Sequence, residues 1–144
     1  MIAQQLLIKK YGLPGISYQS HYCITWNVQE EFPWFPAARF MVNKDFQVKL
    51  YKAFTNLERA GLQEEIKTFD GCYNNRPVRG YETISLHAWA AAIDLNAEIE
   101  KLGQATALTQ WSGQFVSIMK AAGIYWGGDW NGRKDTMHFA LLNG

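Results

Sequence analysis

Apolar residues recur at spacings of four, four and three along Phe46, Leu50, Phe54 and Leu57, which is one face of an amphipathic helix. Asn43 stands where a cap is needed and Gly61 where such a helix stops. A second stripe of Trp111, Phe115, Ile118 and Met119 predicts a packing face on a helix within 109–122, ended by Gly123. The apolar runs around these two are too short for helices. They predict strands at Ile66 to Phe69 (before an Asp70–Gly71 turn), at Ala92 to Asn96, within IYWGG at 124–128, and in MHFALL at 137–142. The pattern therefore predicts an α+β domain, with a small antiparallel central sheet and its helices packed on one side. Residues 97–108 read as a polar loop or weak helix whose carboxylates, Glu98 and Glu100, stand in solvent.

The first 42 residues break this pattern. They hold three of the four prolines (Pro14, Pro33, Pro36) and many aromatics, among them Trp26, Trp34, Phe35 and Phe40. Proline and the residue before it resist helix. This stretch is expected to be an extended arm with one or two short strands, its rings buried on the core; a groove-lining role for Trp34 or Phe35 is the weaker alternative. His21 is expected at the surface.

Composition changes the picture little. A chain of 144 residues, 48% hydrophobic and 15% aromatic, is expected to fold as one domain, residues 1–144, with an arm at 1–42 and a core at 43–142. With 14 basic and 13 acidic residues and no basic block, a nucleic-acid partner is excluded. No apolar run approaches the ~20 residues of a membrane span. In MIAQQLLIKKYG the lysines follow the apolar part, the wrong order for a secretory signal, so the expected location is the cytoplasm of the producing cell. That compartment is reducing, and Cys23 and Cys72 are expected to be free thiols.

The candidate chemistry lies in SLHAWAAAIDLN at 85–96 and MHFALL. His87 and Asp94 are seven apart and His138 follows 44 residues later. Two imidazoles and a carboxylate are a donor set for zinc with a fourth position left open, and adjacent strands would bring His138 beside Asp94. The polar stretch GCYNNRPVRGYETIS at 71–85 is long for a loop in a compact domain, a length that often marks function. It contains Arg76 and Arg79. Trp126 and Trp130 either line a cleft or fill the core.

Ser85, His87, Ala92 and Asp94, followed by Asp135 three residues before His138, resemble the zinc D-Ala-D-Ala carboxypeptidase and L-alanyl-D-glutamate endopeptidase family. Phage endolysins and vancomycin-resistance D,D-peptidases belong to that family, and the hedgehog signalling domain shares its fold. GCYNNRPVRG and WGGDW are similar to its endolysin-like branch. The family's glycine in the first motif is Ala90 here, and the position is expected to need only a small residue.

The resemblance implies a hedgehog-type zinc fold and Zn2+ held by His87, Asp94 and His138. It implies Asp135 as the general base and Arg76, in preference to Arg79, as the cation near the metal. Arg79, Ser85, Trp126 and Trp130 are the further candidates for substrate contact. The implied substrate is the stem peptide of bacterial peptidoglycan, cut as an L-alanyl-D-glutamate endopeptidase or, second, as a D-alanyl-D-alanine carboxypeptidase. Release through a lysis pore or carriage in a virion would bring the protein to the wall. A zinc-containing wall-binding or virion module without catalysis is the alternative of another class, and the oligomeric state is left open.

Overall fold

The computed structural model describes residues 2–76 and 83–144. An antiparallel sheet in the order β3-β4-β6-β5 is formed by Phe69–Gly71, Ala92–Leu95, His138–Ala140 and Tyr125–Trp126 (β3, β4, β6 and β5). A separate antiparallel pair, β1 (Cys23–Trp26) and β2 (Phe40–Asn43), runs in register from Cys23 opposite Asn43 to Trp26 opposite Phe40. The architecture is α+β with small antiparallel sheets, as the patterning predicts.

Helix α4, Lys44–Ala60, follows its sequence signals closely. The Asn43 side chain accepts from the amides of Asp45 (2.8 Å) and Phe46 (3.0 Å), and Gly61 closes the helix at φ 71°. Phe46, Leu50, Ala53, Phe54 and Leu57 are buried. Helix α5, Gly113–Ala121, packs against α4 and is capped by the Ser112 hydroxyl, which accepts from Phe115 N. Ser112 in turn donates to Glu65, so a carboxylate outside the helix secures its N-terminal end. Trp111 is buried just before the helix begins.

The N-terminal arm corrects the extended reading. It contains helices α1 (Ala3–Tyr11), α2 (Ile16–Tyr22) and α3 (Val28–Glu31) beside the expected strands. Ala3, Leu7 and Tyr11, spaced by four, form the buried face of α1. Pro14 falls between α1 and α2, and Pro33 and Pro36 fall after α3, so no helix is interrupted. Trp26, Phe32, Phe35, Phe40 and Phe54 form an aromatic cluster that reaches Phe69 on the edge strand β3, 4.8 Å from the Phe40 ring. Phe35 is buried there, and Trp34 donates to Glu58 on α4 (3.0 Å); neither lines a groove near the sheet's polar residues. His21 is exposed.

Three further details depart from expectation. The strand expected at Ile66 to Phe69 starts later, at Phe69, after a short 3-10 turn at Gln63–Glu65. Glu100 is buried, 1% exposed, because the chain folds back on it: Thr109 Oγ1 and Gln110 N (2.9 Å) both donate to its carboxylate. Ala90 adopts left-handed backbone, φ 50° and ψ 33°, so its position asks for more than small size. Cys23 and Cys72 are free thiols. No helix among the described residues is long and apolar enough to cross a membrane.

Ala90 yields a stability prediction. An L-residue in this region bears about 1–2 kcal/mol, which Ala90→Gly removes. The change also deletes a buried methyl, about 0.8 kcal/mol, and adds unfolded-state freedom of about 0.5–1 kcal/mol. Denaturant unfolding should therefore place Ala90→Gly within about 1 kcal/mol of the parent by these opposing contributions. A loss above about 3 kcal/mol would show that methyl packing, whose removal can leave a cavity, dominates the position.

Candidate metal centre

The site begins with strand register. Antiparallel pairing of β4 and β6 sets Asp94 opposite His138, with Ile93 opposite Phe139 and Ala92 opposite Ala140. Side chains alternate across a sheet, so Ile93, Leu95 and Phe139 enter the core with no exposure while Asp94 and His138 share the other face.

His87 reaches that face from a 3-10 turn, Leu86–Trp89, immediately before β4. Ser85 Oγ accepts from His87 N (3.2 Å), and Ala90 N donates back to His87 O (3.0 Å), closing the turn through the left-handed residue. Trp89 is fully buried; its indole donates to Gly12 O at the end of α1 (3.0 Å), and Tyr18 of α2 donates to its carbonyl. The N-terminal helices thus hold the turn that presents His87.

His87 Nε2 lies 3.1 Å from Asp94 Oδ2, and His138 Nδ1 lies 3.4 Å from Asp94 Oδ1. The far nitrogen of each ring faces a backbone carbonyl: His87 Nδ1 is 2.8 Å from Cys72 O and His138 Nε2 is 2.9 Å from Gly144 O. A carbonyl oxygen only accepts, so both far nitrogens carry their protons. In the neutral rings the near nitrogens then offer lone pairs, and two such pairs converge with a carboxylate. A proton, a donating water or a cation between them relieves that repulsion, and the cation does so for all three groups at once. Burial alone would raise the Asp94 carboxyl, but its contacts with His138 and His87 prevail and hold it well below the usual carboxylate range. Burial also works against charge on His138, and the contact with Asp94 prevails to raise its pKa.

The three residues therefore fit a metal ion. One donor atom from each lies within 4.8 Å of the others, and Asp94 Oδ1 is buried without a hydrogen-bond partner among the described residues. Two imidazole nitrogens and one carboxylate oxygen suit zinc, and carbonyl-anchored rings are the usual outer support of such ligands.

Asp135 lines the same cleft, a cavity of about 480 Å³. Burial pushes its carboxyl up to about 6, and its Oδ1 is buried with no hydrogen-bond partner among the described residues. Arg76 also lines the cleft and is tied to the His87 turn through its carbonyl, which accepts from Ser85 N (2.9 Å). Arg79 lies outside the described residues. Ser85 borders the cavity, but its buried hydroxyl oxygen caps the His87 turn. The two tryptophans part company. Trp130 lines the cleft with its ring 4.9 Å from that of His138, whereas Trp126 is buried in the core and donates to Thr136 O (2.9 Å). Substrate contact is therefore corrected for Trp126: its polar edge is turned to the backbone.

Sequence reasoning missed Arg133, a charged cleft residue two positions before Asp135. It also missed the Cys72 and Gly144 carbonyls that orient the two imidazoles, for a backbone oxygen carries no residue-type signal.

Residues 79–141 match the family model described as D-alanyl-D-alanine carboxypeptidase. That span is less than half of the 144 residues, yet it contains His87, Asp94, Asp135 and His138. No curated protein and no solved structure matches the chain. Together, the family match and a His–Asp–His cluster able to hold a metal support a peptidase of the D-alanyl-D-alanine carboxypeptidase kind, a family that depends on zinc.

Proposed function

We propose that this chain is a zinc-dependent peptidase that cuts the stem peptide of bacterial peptidoglycan, in the first place as an L-alanyl-D-glutamate endopeptidase. The observation that carries the reading is the joint placement of His87, Asp94 and His138 as one donor set, with the unpartnered carboxylate oxygen of Asp135 in the same cleft. A bound zinc ion supplies Lewis-acid polarisation of the scissile carbonyl and makes a water acidic enough to attack at neutral pH.

The chain's own groups do the rest. His87 and His138 present fixed nitrogens because their far N–H groups are held by Cys72 and Gly144. Asp135 Oδ1 takes the proton from the attacking water and returns it to the leaving amine. A carboxyl that burial holds near 6 can both accept and release a proton near neutrality. The Arg76 guanidinium holds a substrate carboxylate or the developing oxyanion, and Trp130 offers a flat apolar wall beside His138.

The preference for the endopeptidase rests on the likeness of GCYNNRPVRG and WGGDW to the endolysin-like branch. The second reading, a D-alanyl-D-alanine carboxypeptidase, is favoured by the description of the matching family.

Purified peptidoglycan should be incubated with the protein as isolated, after EDTA, and after zinc is restored, and the products read by mass spectrometry. New L-alanine carboxyl and D-glutamate amino termini that vanish with EDTA and return with zinc are the expected result. Release of terminal D-alanine would move the assignment to the carboxypeptidase. No new termini, with stoichiometric zinc still bound, would make the protein a wall-binding module.

A further inference from the structure

Asp135 and His138 are three residues apart on one tight turn, so whatever holds that turn sets the spacing of the proposed base and the proposed ligand. Asp135 N donates to Gly127 O (3.1 Å), His138 N donates to Asp135 O (3.1 Å), and Met137 O accepts from Leu95 N (3.0 Å). Thr136, fully buried between them, has its hydroxyl oxygen bonded by Gln104 Nε2 (2.9 Å).

Its carbonyl is held twice. Trp111 Nε1 donates to Thr136 O at 2.8 Å and Trp126 Nε1 donates to the same oxygen at 2.9 Å. The two indoles come from different elements, one ahead of α5 and the other on β5. Both are buried, and both contact the ring of Phe139, the residue after His138, at 5.6 and 6.5 Å between centroids. Gly127 follows Trp126 directly, and a Cβ there would stand 2.2 Å from Asp135 O, so this backbone approach requires glycine.

Core packing alone has no need for two indole N–H groups to share one carbonyl oxygen. Phenylalanine fills such space, and a single donor satisfies the oxygen. A second donor adds direction: with both lone pairs engaged, the Thr136 peptide plane cannot rotate without breaking a buried hydrogen bond. Rotation of that plane would swing Asp135 and His138 relative to each other.

We propose that Trp111 and Trp126 are positioning residues, a paired indole clamp on the Thr136 carbonyl that holds Asp135 and His138 at their working separation. This inference rests on the peptidase reading for its link to turnover, and on the two indole hydrogen bonds to Thr136 O for the clamp itself.

The test replaces each indole in the full chain by β-(3-benzothienyl)alanine, which keeps the shape and lacks the N–H, singly and together; Trp111→Phe and Trp126→Phe are the simpler counterparts. Zinc affinity, hydrogen exchange at the His138 amide, kcat and KM are measured. With both N–H groups removed, kcat and zinc affinity should each fall about 10–100-fold, the range for outer supports of a metal site. KM should stay within about twofold, and the His138 amide should exchange faster. Either single replacement leaves one donor and should move the same quantities less. If the double replacement fails to fold, the single ones decide by the direction of those shifts.

Wild-type zinc affinity, exchange and kcat in a folded double replacement would overturn the clamp, however far its melting temperature dropped. If the parent protein itself releases no termini from peptidoglycan, the peptidase reading falls. Zinc affinity and amide exchange then still decide whether the clamp exists.

Discussion

Asp135→Ala is expected to retain zinc and to lose turnover by about a hundredfold to ten-thousandfold, the usual worth of a positioned general base. The separation of the two effects follows from geometry. The atoms that converge for a metal belong to His87, Asp94 and His138, while Asp135 borders the same cleft with a buried Oδ1 that has no hydrogen-bond partner among the described residues. A buried acceptor without a partner is costly, and a general base needs that same open valence. Deleting it leaves the donor set whole and removes the route for the proton. The measurement is a zinc content and a single-turnover rate on the same preparation. Native turnover in Asp135→Ala would assign the proton transfer to another group.

Asp94→Asn is expected to abolish both zinc retention and cleavage. Asparagine keeps the shape and removes the charge. The near nitrogens of His87 and His138 then face a neutral amide at the positions where they now lie 3.1 and 3.4 Å from a carboxylate. An amide NH2 turned toward one imidazole lone pair makes a satisfactory hydrogen bond with no cation present, and the other lone pair then faces a neutral oxygen, so the negative charge that draws a metal in is lost. The fall in affinity should exceed the roughly 10–100-fold that outer-support changes produce. Zinc content after gel filtration in zinc-free buffer, with a competing chelator for the affinity, gives the answer. Stoichiometric zinc at unchanged affinity would remove Asp94 from the ligand set.

How much of this was readable in the chain depended on the range of the interaction. Helix α4 was legible from end to end because its cap, its stripe and its glycine stop act within a turn or two of backbone. The arm was not. Its prolines suggested extended chain, although Pro14 only separates α1 from α2. The Ala3, Leu7 and Tyr11 stripe was hidden by Ile2, Leu6 and Ile8, which remain exposed. In sequence Glu100 looks solvated because the groups that satisfy it come from a loop nine and ten residues on. Composition does not tell Trp126 and Trp130 apart; their tertiary surroundings do, since Trp126 on β5 is buried and bonded to Thr136 O while Trp130, past the turn at Gly127–Asp129, lines the cleft.

By itself, the sequence determined which chemistry is available: two imidazoles and a carboxylate of the zinc type, a further aspartate three residues from the last histidine, and strands short enough to carry them. Their convergence was decided by tertiary structure. The register of β4 against β6 puts Asp94 opposite His138, the left-handed turn at Ala90 returns His87 to the same face, and the carbonyls of Cys72 and Gly144 choose which nitrogen each ring presents. Residue type sets what a side chain can donate or accept. Which groups it meets, and in which protonation state, depends on backbone paths that are distant in the chain and meet only when the core closes.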